Sequence, residues 1–501
     1  MDLVFDPPTL RPADGLHHAS AAAGNAATTT RAITALHEAL SGRSDVERIL
    51  LKAAAGAGKS FALKRMVDEA LRDANCSRVG VTAFANKQIY PLAEGLGKAL
   101  GRERVCLYAS AKRSAEVAPS VHKAATVVFD MKSIPADAEV IIATSHMFGF
   151  TGWKLLDQLG PAHENEHLFD VLFVDEAWQL PLHRYREIDR LAPIDVGVGD
   201  VGQLPPLDPG QNPWRGDRGY NPYRAWPTAY ERDPKTWSEE LPAVWRPTEA
   251  QLGVWRAFYG DWDSLNCVAG PGDRRIELPE FAGHSRGVWA SVATGVPTLV
   301  EVAGLSEADA ADIDPPLLEV IEGWLDALLS QGFSLIETEY GADGDPVGVV
   351  EVKSSDPGDR TLIAVLATRN QAVDDAQDMV DRLVERHGLA DNVLVASTVD
   401  SWQGQTNAIT IAIHPLSGAS ALDEFNSAFG RLAVTCTRAT HGLLVVSRDG
   451  LDGLLDTAPA RPGTPLGEPG TRQLPRQTHQ RILSAFARGH FDVAADQTVT
   501  A

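Results

Sequence analysis

A short glycine-rich stretch, AAAGAGKS at residues 53–60, combines residue types that can hold the phosphates of a nucleotide. Backbone N–H groups of such a turn, placed at a helix N-terminus, cradle phosphate oxygens. In that setting Lys59 reaches the β- and γ-phosphates, and the Ser60 hydroxyl ligates Mg²⁺. The usual pattern, G-x-x-x-x-G-K-[ST], has a glycine where this chain has Ala53. The predicted phosphate contacts are Gly56, Ala57, Gly58, Lys59 and Ser60. The alternative is a small-residue turn between a strand and a helix.

A pair of carboxylates follows an apolar run in VLFVDEAWQ, residues 171–179. The run predicts a buried strand that delivers Asp175 and Glu176 to its C-terminal edge, where α/β proteins bind ligands. Asp175 can hold Mg²⁺, and Glu176 can orient and deprotonate an attacking water. Solvated carboxylates at a capped strand end are the simpler alternative.

A third candidate is GDVGQLPPL, residues 199–207, which follows another apolar run. Gln203 would lie beside the same sheet edge and could sense a γ-phosphate. Pro205 and Pro206 form a stiff corner that could press on a nucleic-acid base. The simpler alternative is a strand ended by proline.

The elements around these motifs alternate between short apolar strands and helices. RILLKA precedes the glycine loop and SFALKRMVDEALRD follows it, which is the strand–loop–helix context that a phosphate loop requires. A second alternating block begins at PTLVEVA and ends at GLLVVSR. Such alternation predicts parallel sheets covered by helices, and therefore an α/β fold class with two lobes in tandem.

The predicted organisation has five parts. They are a flexible arm at 1–27, a first lobe at 28–208 with a small accessory element at about 92–137, an aromatic- and arginine-rich linker loop at 209–240, a second lobe at 241–455, and a flexible tail with a short helix at 456–501.

Composition is that of a globular chain: 44% of the 501 residues are hydrophobic and 22% are charged. No apolar run approaches the roughly 20 residues of a membrane helix, and the N-terminus lacks a secretory pattern. The four scattered cysteines predict buried or free thiols in a reducing compartment, so we expect a cytoplasmic protein without membrane contact. The net charge of −22 argues against non-specific coating of nucleic acid but permits a local groove.

Taken together, the motifs resemble those of superfamily 1 helicases, in the B branch that contains RecD and the helicase of nonsense-mediated decay. The resemblance extends from about residue 50 to 455. Besides the three stretches above, the matching motifs, in the family's order, are TAFANKQ (82–88), ATSHMF (143–148), LPAVWRP (241–247), LATRNQAV (366–373), STVDSWQGQT (397–406) and RLAVTCTRATHGLLVV (431–446).

The resemblance implies a P-loop NTPase fold with two RecA-like lobes that bind ATP and Mg²⁺ between them. It implies that the first lobe supplies Lys59, Ser60, Asp175, Glu176 and Gln203. It also implies that Arg246 and Arg438 act as arginine fingers from the second lobe, and that Trp245 and Gly404 contact the nucleotide. An arginine beside the γ-phosphate offsets charge in the transition state of phosphoryl transfer. For Trp245, core packing is the alternative.

A single strand of nucleic acid, with DNA favoured over RNA, would contact both lobes. Hydroxyls and amides can hold its phosphates without much positive charge, and aromatic rings can stack on its bases. The candidate contacts are Thr82, Phe84, Asn86, Thr144, Ser145, His146, Pro205, Thr368, Thr398 and Trp402. For the aromatic members, packing within the protein is an equal alternative.

The implied activity is an ATP-hydrolysing translocase that moves on single strands and unwinds duplexes from 5′ to 3′. Two departures bear on its nucleotide: no glutamine precedes Gln88 to read adenine, and Thr406 replaces a carboxylate in the fifth motif. One alternative is an ATPase motor or switch subunit of a bacterial anti-phage defence or DNA-repair complex with a nuclease partner. A catalytically dead scaffold is the third hypothesis, and the complete set of catalytic residue types argues against it.

Overall fold

The structure is a computed structural model of the whole chain. It describes residues 3–10, 14–163, 166–202, 206, 221–259, 265–280, 284–309, 313–368, 370–402, 404–422, 426, 429–458 and 475–494. Over the described residues the chain divides into two compact units: the first unit lies within residues 24–242, and the second unit lies within residues 3–23, 243–458 and 475–494.

Strands make up the sheets of both units. They are β1 (Phe5–Asp6), β2 (Arg48–Ala53), β3 (Val79–Ala83), β4 (Val105–Tyr108), β5 (Thr126–Val128), β6 (Val140–Thr144), β7 (Val171–Asp175), β8 (Ile194–Asp200), β9 (Thr236–Leu241), β10 (Ala243–Val244), β11 (Asn266–Cys267), β12 (Arg274–Glu277), β13 (Thr298–Ala303), β14 (Ser334–Tyr340), β15 (Pro346–Lys353), β16 (Ile363–Ala367), β17 (Leu394–Thr398), β18 (Asn407–Ile413), β19 (Ala439–Arg448) and β20 (Ala487–Asp492).

Helices alternate with most of these strands. They are α1 (His18–Leu40), α2 (Lys59–Arg72), α3 (Asn86–Leu100), α4 (Pro119–Ala124), α5 (Ser145–Leu159), α6 (Leu182–Tyr185), α7 (Leu252–Phe258), α8 (His284–Ala293), α9 (Pro315–Gln331), α10 (Asn370–His387), α11 (Phe429–Cys436), α12 (Leu451–Thr457) and α13 (Pro475–Leu483).

The first unit is built on a parallel sheet with the strand order β5-β4-β6-β3-β7-β8-β2-β9. Its central strands are continuous apolar runs because helices cover both faces of a parallel sheet. Strand β8 lies between β2 and β7, with Ala53 paired to Asp200 and Asp175 paired to Val198. The ends of these three strands, which carry the predicted chemistry, therefore lie side by side at one edge of the sheet.

The core of the first unit includes aromatic side chains from distant parts of the chain. Phe148 and Phe169 meet edge to face, with ring centroids 5.3 Å apart. Trp226 is fully buried and stacks on Tyr185 at 4.1 Å. Offset and edge contacts of this kind stabilise a core beyond the burial of apolar area.

The second unit has a sheet with the order β1-β20-β13-β19-β18-β16-β17, parallel except for β1. A smaller antiparallel sheet, β12-β14-β15, accompanies it. Its core centres on Trp289 and Trp324, both 1% exposed, and the Trp289 indole donates to the Trp324 carbonyl at 2.8 Å. The predicted fold class, two RecA-like parallel-sheet lobes in tandem, is confirmed.

The N-terminal segment is more ordered than the sequence analysis expects. Phe5 and Asp6 pair with β20, and α1 begins at His18, within the predicted arm. The alanine-rich run favours a helix intrinsically, and Ala21 and Ala22 are buried in a cluster with Val268. The predicted flexible arm at 1–27 is therefore wrong over these described residues.

The predicted linker at 209–240 is wrong over its described part, residues 221–240. Strand β9 joins the first sheet beside β2, with Thr236 paired to Arg48. Trp226 belongs to the core of the same unit. Prolines, glycines and charges hide this ordered segment from a periodicity argument, because its burial depends on a partner strand far away in the sequence.

The predicted tail and accessory element also differ from the structure. Strand β20 pairs in parallel with β13, and its Phe491 meets Trp324 edge to face at 5.7 Å. The segment at 92–137 does not form a separate element, since β4 and β5 extend the first sheet beyond β6. The strands in both segments are too short to be recognised from the sequence without the strands that pair with them.

All four cysteines are free and buried. Burial raises the pKa of the Cys106 thiol to about 12, which disfavours the reactive thiolate. Within the described ranges, no helix is both long and apolar enough to cross a membrane.

Candidate active site

The glycine loop forms the turn that the sequence predicts. Strand β2 ends at Ala53, and α2 begins at Lys59 after Gly58, whose φ is 92°. Gly56 also has a positive φ, 72°, a conformation that glycine adopts without a steric penalty. Both glycines are thus needed for the turn, whereas Ala53 lies in the strand and is fully buried. An alanine at that position does not disturb the turn.

Asn25, a residue without any motif signal, holds the loop in place. Its side chain lies on α1 and is 8% exposed. The Asn25 amide donates to the Ala57 carbonyl at 2.9 Å. This carbonyl lies next to the turn glycines, so the bond fixes the loop from the helix that precedes β2. Sequence reasoning missed it because α1 carries no nucleotide motif.

Lys59 and Glu176 meet directly at the sheet edge. The Lys59 Nζ lies 2.8 Å from the Glu176 Oε1, and their side chains are 14% and 16% exposed. Parallel strands are about 4.8 Å apart, so the lysine reaches across the end of β8 to the strand beyond it. The structure therefore brings together two residues separated by more than a hundred positions.

Glu176 adopts a left-handed backbone conformation, with φ 51° and ψ 44°. Such a conformation is uncommon for a residue other than glycine and costs about 1–3 kcal/mol when the surroundings impose it. It turns the chain sharply from β7 into a 3₁₀ turn at Ala177–Gln179. The sharp turn places the Glu176 carboxylate over the end of the sheet.

Gly199, on β8, allows that turn to approach closely. A Cβ atom at this position would lie 2.8 Å from the Ala177 backbone nitrogen and 2.7 Å from the Trp178 ring. Neither atom can move without displacing the turn that follows Glu176. Gly199 is therefore required by packing next to the carboxylates of Asp175 and Glu176.

Burial and charge shape the electrostatics of the site. Burial by itself lowers the pKa of Lys59, but the carboxylates of Glu176, Asp200 and Asp175 outweigh it and raise this pKa. Burial, followed by the charge of Glu176, raises the pKa of Asp175 to about 7 although Lys59 opposes the shift. A cation bound beside such a buried carboxyl group would stabilise its ionised form.

The donors near Asp175 fit a magnesium ion. Its Oδ1 is fully buried and has no hydrogen-bond partner. Such an atom is costly unless a ligand satisfies it. Ser60, at the start of α2, is exposed and supplies a hydroxyl oxygen, and Mg²⁺ prefers oxygen ligands completed by substrate phosphates. Among the described residues, no cluster of three His, Cys, Asp or Glu side chains could hold a metal by itself.

In the second unit, the two candidate arginine fingers converge on Thr437. The Arg246 Nη1 donates to the Thr437 carbonyl at 2.9 Å, and the Arg438 Nη2 donates to the Thr437 hydroxyl at 3.1 Å. Arg438 is 1% exposed and also donates to the Val434 and Gln405 carbonyls. Gly404, with φ 88°, lies beside Gln405 and so belongs to the same neighbourhood.

The two candidate stacking tryptophans of the second unit have contacts within it. Trp245 packs, half-buried, against the cluster that contains Ala21 and Ala22. The Trp402 indole donates to the Asn407 side chain at 3.0 Å. These contacts position both rings, and their contact with a nucleobase or a strand stays a prediction.

Several candidate strand contacts are accessible in the structure. Phe84 is 37% exposed, and it precedes Asn86, the first residue of α3. His146 is exposed near the start of α5. In the second unit, Thr368 and Thr398 are half-buried, and the Thr398 hydroxyl accepts from the Ser401 N–H at 3.0 Å.

Three candidates are buried, so the structure removes them from the surface. Thr82 is 0% exposed within β3 because helices cover both faces of the sheet. The Thr144 hydroxyl caps α5 by accepting from the Met147 N–H at 3.3 Å, and Ser145 is 2% exposed. Their contact with phosphates stays a prediction. Gln203 and Pro205 lie outside the described residues.

Comparisons with solved structures find helicases that are similar to this chain. No protein-family model matches the sequence, and no curated protein matches it. The helicase MrfA of the DUF1998 group, solved bound to DNA, is 9% identical with a TM-score of 0.42, covering 97% of this chain and 56% of that one. The arterivirus helicase nonstructural protein 10, solved with DNA, is 13% identical with a TM-score of 0.38, covering 85% and 65%. The PRRSV helicase is 12% identical with a TM-score of 0.37, covering 83% and 56%.

This chain thus spans between 56% and 65% of the length of these three helicases. At such identities and scores, the side chains of the site described above are what indicates its chemistry.

Proposed function

We propose that this protein is a nucleic-acid-dependent ATPase that translocates on single strands and unwinds duplexes in the 5′-to-3′ direction, with DNA favoured over RNA. The carrying observation is the Lys59–Glu176 contact of 2.8 Å beside the buried Asp175 carboxyl. A phosphate loop, a cation ligand and a general base at one sheet edge are the parts that phosphoryl transfer requires. The order of the superfamily 1 motifs supports the choice of a helicase.

The Lys59–Glu176 pair supports a specific order of events. Lys59 holds the Glu176 oxygen that a general base needs. Phosphate oxygens of ATP attract the lysine, so nucleotide binding releases the Glu176 Oε1 to accept a proton from water. The base would then become available only after the substrate is in place.

Ser60 and Asp175 would hold Mg²⁺, which when bound neutralises charge on the phosphates. We propose Arg246 and Arg438 as arginine fingers for the γ-phosphate, with Gln203 sensing it. Because the Arg438 donors already bond to protein oxygens, this role requires phosphate oxygens to replace some of those acceptors. Trp245 and Gly404 are the proposed base-side contacts.

The proposed strand contacts are the accessible candidates of both units, together with Pro205. They are Phe84, Asn86, His146, Thr368, Thr398 and Trp402. Aromatic rings would stack on bases, and amide and hydroxyl groups would hold phosphates.

ATP turnover measured with and without single-stranded DNA or RNA tests this proposal. We expect stimulation by a strand, and a loss of roughly 10²- to 10³-fold in stimulated kcat for Glu176→Gln, as when one electrostatic or proton-transfer group is removed. Lys59→Met should lose a similar amount. Lys98→Ala, an exposed lysine of the same unit, is the control.

Duplexes with 5′ or 3′ single-stranded overhangs, made of DNA or RNA, then test direction and strand type. The absence of stimulation by either strand in a folded protein would contradict the motor function. Unwinding from 3′ overhangs alone would contradict the proposed direction.

A second candidate is a motor or switch subunit of a larger defence or repair complex with a nuclease partner. The observation that favours it lies on α5, where Phe150 and Trp153 are 70% and 54% exposed. Exposed aromatic side chains of this size are typical of interaction surfaces. Co-purification from the native host tests it, and a lone monomer would count against it.

A further inference from the structure

A chain of hydrogen bonds links Glu176 to the start of α3. The Gln179 Nε2 donates to the Glu176 Oε2 at 3.2 Å. The Gln88 Nε2 donates to the Gln179 Oε1 at 3.0 Å. The Ala85 N–H donates to the Gln88 Oε1 at 2.8 Å. Together with the Lys59 contact, both carboxylate oxygens of Glu176 are engaged.

The direction of this chain is determined at both ends. The backbone N–H of Ala85 is a donor, so the Gln88 side chain must turn its oxygen towards it and its NH₂ group towards Gln179. A carboxylate accepts only, so Gln179 must turn its NH₂ group towards Glu176. Both ends require the same orientation of the two amides. The flipped orientation would lose the hydrogen bonds at both ends of the chain.

The far end of this chain lies in the segment that carries candidate strand contacts. Ala85 stands between Phe84, which is 37% exposed, and Asn86, the first residue of α3. A base or phosphate bound there would move or stiffen the Ala85 backbone, and Gln88 would follow because its oxygen is bonded to that backbone. Gln88 and Gln179 are themselves half-buried, and their amide groups are engaged in this chain of hydrogen bonds.

We propose that Gln88 and Gln179 are positioning residues that couple occupation of the Phe84–Ala85–Asn86 segment by a single strand to the orientation of the Glu176 carboxylate. The inference rests on the proposed ATPase function and adds the side chains through which the strand would act. Lys59 and Gln179 each donate to one carboxylate oxygen of Glu176, and a shift at Ala85 would change the Gln179 contact. The expected consequence is an effect on hydrolysis at saturating strand, without an effect on ATP binding.

Gln88→Met removes the link at its midpoint while retaining the size of the side chain. We expect unstimulated kcat within about twofold of wild type and an unchanged KM for ATP. Stimulation of kcat by saturating oligo-dT should fall about five- to tenfold, which corresponds to roughly 1.0–1.4 kcal/mol. The affinity for labelled oligo-dT should stay within about twofold, because the Gln88 amide is bonded to Ala85 and Gln179.

Gln179→Met and the double variant separate a relay from two independent structural roles. In a relay the double variant loses no more stimulation than either single variant, whereas independent effects multiply. Gln158→Met, which removes a single hydrogen bond on α5 of the same unit, is the matched control. Melting temperatures within about 3 °C of wild type verify folding of each variant. If Gln88→Met fails this condition, Gln88→Leu replaces it.

The outcomes are distinguishable. Wild-type protein without any strand stimulation would overturn the proposed function and the relay together. Stimulated wild type with equally stimulated Gln88→Met would overturn the relay alone. Weaker oligo-dT binding with normal kcat at saturation would also overturn it, since Gln88 would then merely shape the binding surface. Losses of strand stimulation that multiply in the double variant would also overturn the relay.

Discussion

Replacing Lys59 by methionine should destabilise the nucleotide-free first unit, because the lysine is the cation among three neighbouring carboxyl groups. Its Nζ lies 2.8 Å from the Glu176 Oε1, and Asp175 and Asp200 are 8% and 2% exposed. Methionine keeps the length and apolar stem of the side chain, so the main loss is the charge.

The magnitude follows from the burial of the pair. Unit charges about 3.5 Å apart attract by roughly 5 kcal/mol at an effective dielectric constant of about 20, before the cost of desolvation. Removing one partner of a fully buried pair costs about 3–5 kcal/mol. Side chains that are 14% and 16% exposed are partly screened, so we expect about 2–3 kcal/mol. For a unit of this size that corresponds to a decrease of about 5–10 °C in melting temperature.

Calorimetry without nucleotide and with EDTA measures this effect as a double-mutant cycle. Glu176→Gln removes the opposing charge, so the double variant should melt about 3–6 °C above Lys59→Met alone. Two results would refute the reasoning: Lys59→Met melting at or above the wild-type temperature, or a coupling energy below about 0.5 kcal/mol.

Two further predictions concern stability. Gly199→Ala should cost about 1–3 kcal/mol of folding stability and lower ATP turnover, because its Cβ would meet the Ala177 backbone at 2.8 Å. Gly323→Ala, whose added Cβ would have open space around it, is the control. Equal melting temperatures of the two variants would contradict the packing argument. Burial raises the pKa of Asp195 to about 8, so the folded state holds a proton that the unfolded state releases near pH 4. The contribution of Asp195 to stability should therefore fall as pH rises from about 4 to 8. Asp195→Asn should remove this contribution from the pH dependence of thermal melts, and an unchanged slope would contradict it.

Most of the first unit's site can be predicted from local sequence. The loop with Gly56 and Gly58 needs only a strand, a turn and a helix in succession, and all three are encoded by adjacent residues. Asp175 follows its own apolar strand, so its place at the sheet edge follows from the strand itself. Elements that depend on long-range contacts are harder to predict from the sequence. Strands β9 and β20 and the start of α1 have weak local signals and are ordered by partners far away in the chain.

The sequence by itself determined the fold class, the glycine loop and the places of the two carboxylates, because each is a property of consecutive residues with a clear period or pattern. Only the tertiary structure decided which candidates can act together. It joined Lys59 to Glu176 across β8, buried Thr82 and Thr144, and linked Gln88 through Gln179 to the same carboxylate. The physical reason is that burial and hydrogen-bond partners depend on the register of neighbouring strands, and no local pattern specifies which strand will lie alongside.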